Sequence, residues 1–359
     1  MIENNSYKLL AEKLDALPNG FPPSLDGSEL RLLEKLFTPQ EALLAASLRL
    51  TLETPKQIAE RLGGEAITLR SQLKEMARRG LISAGPAEGG LGFGLMPFVV
   101  GIYEMQAGRI DTELATLFEQ YYQQAFGKML AIQPAVHRVI PVNESVKSNL
   151  EVRPFESAAE IVNSNHAWGV VDCICRLQKK LIGQPCEHPI DVCLVLSNVS
   201  GAFDHAKGVR ALSHEEALDT LHRSADAGLV HSVSNNQKDL WYICNCCTCS
   251  CGILRGIAEF GVANAVARSS FVSQVDPEKC ALCGTCLENC QFAALTLVNS
   301  LVVNELRCVG CGLCVRACPE DALTLALRPD AERPAIPENN SSWMQERSNT
   351  RQIDLQEVI

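Results

Sequence analysis

Seventeen of the 359 residues are cysteines, and their spacing is ordered. Eight fall into two runs, Cys280, Cys283, Cys286, Cys290 and Cys308, Cys311, Cys314, Cys318, each with the pattern C-x2-C-x2-C-x3-C. An offset of 28 residues lays one run on the other and carries Ala294-Leu-Thr-Leu297 onto Ala322-Leu-Thr-Leu325, so one supersecondary unit is duplicated. An odd number of thiols with no secretory signal argues against a disulfide scaffold and for reduced thiolates that hold metal ions or clusters. A pair of tetrathiolate zinc sites is the alternative, because cysteines two residues apart also serve zinc.

The two runs, the second continuing into Pro319, resemble those of bacterial-type ferredoxins with paired [4Fe-4S] clusters, over residues 271–329. Gly284 and Gly312 allow the sharp turns that let three closely set thiolates reach three irons of one cubane. The resemblance implies that the fourth cysteine of each run crosses to the other cluster. The implied ligand sets are Cys280, Cys283, Cys286 with Cys318, and Cys308, Cys311, Cys314 with Cys290. One position departs from the pattern: Gln291 stands where the second repeat has Pro319.

The other nine cysteines lie between residues 173 and 251: Cys173, Cys175, Cys186 and Cys193, then Cys244, Cys246, Cys247, Cys249 and Cys251. The segments Cys173-Ile-Cys175-Arg176 and Cys244-Asn-Cys246-Cys247 before a ferredoxin module resemble a class of anaerobe iron–sulfur proteins, which implies no particular reaction. Cys173, Cys175, Cys186 and Cys193 are the expected ligands of a third iron–sulfur cluster, completed or partly replaced by members of the second group, with zinc as the alternative. Adjacent Cys246 and Cys247 speak against a single site, since neighbouring side chains of an extended chain point apart. His188 sits among these cysteines and could ligate, but a lone histidine reads first as a surface or second-sphere group. Arg176, Lys179 and Lys180 either offset thiolate charge or are simply exposed.

The elements that must hold these groups read as multi-domain α+β. Residues 1–106 open with helical signals: Ser28 as a cap, Thr38-Pro39-Gln40-Glu41 and Thr54-Pro55 as helix starts, and Leu69, Leu73 and Met76 as an apolar stripe ending at Gly80. A glycine-rich stretch, residues 81–95, then suggests a hairpin. This arrangement resembles a winged helix-turn-helix domain, which implies DNA contact through Arg70, Lys74 and Arg78. Protein docking is the alternative and the one expected, because Glu60, Glu65 and Glu75 dilute the basic face. Residues 107–270 read as a mixed α+β domain. A helix capped by Asp111 carries the core aromatics Phe118, Tyr121, Tyr122 and Phe126, Ser213 and Glu216 cap another, and strands are expected at 137–142, 168–171, 192–196 and 229–233. Residues 330–359 read as a tail, docking if at all through Ile353, Leu355 and Ile359.

The net charge of −10 disfavours non-specific attraction to nucleic acid or anionic lipid. No stretch is apolar enough to span a membrane, and no targeting segment is evident, so a cytoplasmic location is expected. No dinucleotide fingerprint, P-loop or nucleophile elbow is present. The expected function is single-electron transfer through clusters to a redox protein, an oxidoreductase or flavoprotein. The ferredoxin segment carries more acidic than basic residues, which favours a basic patch on that partner. A cluster-sensing transcription regulator and an oxidoreductase subunit with a catalytic cluster are the alternatives.

Overall fold

Threonine–proline pairs start two N-terminal helices for a local reason. Thr38 and Thr54 accept the amides of Glu41 and Gln57, whose side chains return the bond to the cap backbone, and proline fills the first helical position where no donor is needed. The computed structural model describes residues 2–142 and 153–359. The helices are α1 (Ile2–Asp15), α2 (Ser28–Leu36), α3 (Pro39–Ala46), α4 (Pro55–Leu62) and α5 (Ala66–Arg78), followed by the antiparallel hairpin β1 (Ser83–Ala87) and β2 (Gly90–Gly94). Ser28 is not the cap of α2: Gly27 holds that place in the left-handed region, and Ser28 is the buried first helical residue. Helix α6 (Thr112–Tyr121) starts at the Asp111 cap and short α7 (Gly127–Met129) follows. The α6 aromatics are core. Tyr103 stacks on Phe118 with ring centres 3.7 Å apart, and Phe21 meets Tyr121 at 4.8 Å.

The chain divides into two units, and the cut differs from the four segments expected from sequence. One unit comprises Met1–Met129, Leu177–Gln184 and Met344–Ile359, the other Leu130–Arg176 and Pro185–Trp343. Helix α6 therefore packs with the N-terminal helices, and the expected middle and ferredoxin segments fall largely within one body.

The second unit contains β3 (His137–Val139), α8 (Ala158–Asn163), β4 (Ala167–Val171), the start of α9 (Ile174–Leu181), β5 (Cys193–Ser197), β6 (Arg210–Leu212), α10 (His214–Asp226), β7 (Val230–Ser234) and β8 (Tyr242–Cys246). The strands form one sheet in the order β3-β7-β8-β5-β4-β6 with antiparallel neighbours. Ile161, Val162, Val170, Leu194, Leu221, Val233 and Ile243 make its apolar core with α8 and α10. Strand β8 escapes sequence reading because cysteines occupy the alternating positions at which β-branched residues are expected. Then come α11 (Arg255–Phe260), β9 (Phe271–Val275), α12 (Thr285–Glu288), β10 (Leu295–Leu297), β11 (Leu301–Val303), α13 (Leu313–Arg316) and β12 (Leu323–Leu327), with β9 antiparallel to β12 and β10 to β11.

The C-terminal segment is not merely a tail. Helix α14 (Asn340–Arg351) buries Arg347, whose Nε donates to the Pro18 carbonyl at 2.9 Å and Nη2 to that of Met129 at 3.1 Å. Leu355 and Val358 are buried, while Ile353 and Ile359 are half-buried.

Candidate metal and cluster sites

The duplication extends to backbone conformation. Gly284 and Gly312 precede α12 and α13 with φ of 82° and 80°, and Leu282 and Gly310 share positive φ, as do Ala293 and Asp321. At Gly310 a side chain is sterically excluded, since a Cβ there would lie 2.2 Å from the Phe271 carbonyl oxygen. These turns bring the cysteines to line two matched clefts. Cys280, Cys283, Cys286 and Cys318 line the first with Leu297, Leu301 and Leu323. Cys290, Cys308, Cys311 and Cys314 line the second with Phe292, Leu295 and Leu325. In each quartet three sulfurs come from one run and the fourth from the other. The amides of Ala294 and Ala322 donate to Sγ of Cys290 and Cys318, both at 3.3 Å, and Ser273 Oγ lies 3.2 Å from Cys314 Sγ. Such bonds stabilise thiolate charge. The donor sets, apolar walls and amide donors fit [4Fe-4S] groups. The first cleft is nearer solvent, with Cys283 exposed; at the second, burial drives the Cys314 thiol up to about 12.

In the middle region six thiols lie next to one another in a closed ring. Cys173 meets Cys175 and Cys193, Cys193 meets Cys244, Cys244 meets Cys246, Cys246 meets Cys251, and Cys251 returns to Cys175. Cys244 and Cys246 share one face of β8, while Asn245 between them points away and donates through Nδ2 to the Val192 carbonyl at 2.5 Å. The charge within the ring is shared unevenly. The neighbouring thiols of Cys175 and Cys193, aided by Arg176, hold Cys173 well below its ordinary range, and those of Cys244 and Cys251 bring Cys246 to about 6. The neighbours Cys175 and Cys244 move upward.

Arg176 is buried among these sulfurs. Burial opposes its charge, but Cys173, Cys247, Cys193 and Cys246 outweigh that penalty and keep it protonated. Its Nη2 donates to the Asn245 carbonyl at 2.5 Å, and among the described residues Nε and Nη1 find no hydrogen-bond partner. A buried guanidinium with donors to spare, surrounded by thiols, fits a site built for an anionic thiolate-bound group. Lys179 does not share this role, because its Nζ pairs with half-buried Glu119 at 3.7 Å, and Lys180 is exposed.

Cys186 is separated from Cys173, Cys175 and Cys193, with which sequence reading grouped it. It lies instead with His188, Cys247 and Cys249, one donor atom of each within 4.8 Å of every other. His188 Nδ1 is 3.8 Å from Cys249 Sγ, and Ser250 Oγ donates to Cys186 Sγ at 3.3 Å. His188 is thus inside a donor set rather than beside one, which the spacing of a lone histidine does not reveal. On α5 the side chains of Arg70, Lys74 and Arg78 are exposed, with Arg78 paired to Glu75.

Among the described residues no helix is long and apolar enough to cross a membrane. No curated protein and no solved structure matched the chain. A family model for the 4Fe-4S binding domain matches residues 273–296 and 301–324, so the C-terminal part carries two tandem 4Fe-4S binding motifs.

Proposed function

We propose that this chain is an iron–sulfur electron-transfer protein with three clusters, and the observation that carries the reading is the pair of crossed cysteine quartets around matched clefts. Cys280, Cys283, Cys286 and Cys318 hold one [4Fe-4S] cluster, Cys308, Cys311, Cys314 and Cys290 the second. Four members of the buried ring formed by Cys173, Cys175, Cys193, Cys244, Cys246 and Cys251 hold the third. When bound, such clusters store and pass single electrons. The protein contributes amide and hydroxyl donors to sulfur, apolar walls, and at the third site the Arg176 charge.

Exposed Cys283 and Leu282, with Glu320 also lining the first cleft and Glu278 and Glu288 exposed nearby in sequence, make that end the face for a redox protein with a basic patch. The N-terminal helices and hairpin serve as a docking module; the pairing of Arg78 with Glu75 leaves a weaker field for DNA. The decisive experiment is an iron and sulfide assay on anaerobically purified full-length protein. About 12 irons per chain are expected, falling to about 8 in Cys246→Ser. A parent value of about 8 removes the third cluster, and a value near 0 removes the whole reading.

A further inference from the structure

We infer that Cys186, His188, Cys247 and Cys249 form a mononuclear metal site, a closed Cys3His set for a divalent ion of the zinc type, in addition to the clusters held by other cysteines. This goes beyond electron transfer and does not depend on it. The argument begins with size. A tetrahedral ion holding thiolates at ~2.3 Å sets its sulfurs ~3.8 Å apart. The four donors already lie within 4.8 Å of one another, so closing on a single ion takes small side-chain movements. A cubane spreads its ligands around a much larger body of metal and sulfide. Among the described residues neither the two ferredoxin quartets nor the six-thiol ring closes to this span, so the same chain separates two kinds of site by the spacing of their donors.

The chain path explains how the set arises. Cys186 and His188 are two residues apart, as are Cys247 and Cys249, and the bend at 187–188 and the turn after β8 bring each pair's donors to one point. Adjacent Cys246 and Cys247 then point to different places, the first into the ring and the second into this set. The turn after β8 is held by the amides of Ser250 and Cys251, both donating to the Cys247 carbonyl, at 3.4 and 3.0 Å. The hydroxyl of Ser250 supports Cys186 from outside the donor set. Three thiolates and an imidazole suit a borderline-soft ion, and with all four positions filled by protein the site is structural. An ion there ties the segment carrying Cys186 and His188 to the turn carrying Thr248, which is itself bonded to Gln291 beside Cys290. A redox-inert ion fixes that junction without adding an electron site.

The test uses full-length protein produced anaerobically in medium containing cobalt, with metal analysis and visible spectra recorded after subtraction of the cluster absorbance. About one zinc or cobalt per chain, with the ligand-field bands of tetrahedral thiolate-bound cobalt, is expected. His188→Ala and Cys249→Ser should lose most of that metal while iron and sulfide stay at the parent level. His188→Cys, which keeps four donors, should retain the metal and shift the bands, and guards against a loss caused only by misfolding. Cobalt and zinc absent from the parent, bands unchanged in His188→Ala, or a Cys249→Ser variant that loses one cluster's worth of iron would each overturn the inference.

Discussion

The backbone amide of Thr248 donates to Oε1 of Gln291 at 2.7 Å, and Nε2 of the same side chain donates to the Gly228 carbonyl. Thr248 stands between Cys247 and Cys249, and Gln291 follows Cys290. One side chain therefore joins the middle cysteine turn to a thiol of the second ferredoxin cleft, at the position where the other repeat has Pro319.

Gln291→Ala removes both bonds and leaves an amide and a carbonyl to find water, at a cost of about 1–3 kcal/mol in unfolding free energy. Iron content should hold, because no ligand is touched. Magnetic coupling between reduced clusters, read as EPR line splitting, should weaken in this variant and in Gln291→Pro, which copies the second repeat. Splitting identical to the parent's in both variants would show that the tether does not set the cluster spacing.

Substituting the last cysteine of each run separates the crossed assignment from a run-by-run one. Cys318→Ser should damage the cluster at Cys280, Cys283 and Cys286, and Cys290→Ser the one at Cys308, Cys311 and Cys314, because these sulfurs line those clefts. EPR and redox titration of the two variants should show complementary losses. Losses assigned to each variant's own run would reverse the ligand sets.

Arg176 places a cation beside Cys173, Cys193, Cys246 and Cys247. Removing it makes the gain of an electron by the neighbouring cluster less favourable. Arg176→Gln should lower the middle potential by on the order of 50–100 mV, equivalent to about 1–2 kcal/mol. Arg176→Lys, which keeps the charge but loses the planar donors, should fall between. Potentiometric titration followed by EPR measures this, and an unchanged potential in Arg176→Gln means that the guanidinium serves packing alone.

Some features of this protein were legible from sequence because their causes are local. The C-x2-C-x2-C turns with Gly284 and Gly312, the capping boxes at Thr38, Thr54 and Ser213, and the 28-residue repeat all act over a few neighbouring positions. The opposed directions of Cys246 and Cys247 also follow from strand geometry. Tertiary structure alone decided where those directions lead. Cys249 and His188 stand 61 positions apart and meet because β8 runs beside β5 and β7 and then turns. Cys186 separates from Cys173 for the same reason, and Arg176, which has the composition of an exposed basic run, is drawn into the interior by nearby Cys173 and by sulfurs from two distant segments. Sequence spacing carries contacts within a turn, whereas the sharing of nine thiols among sites depends on which strands pair, and that is settled by burial of the whole sheet.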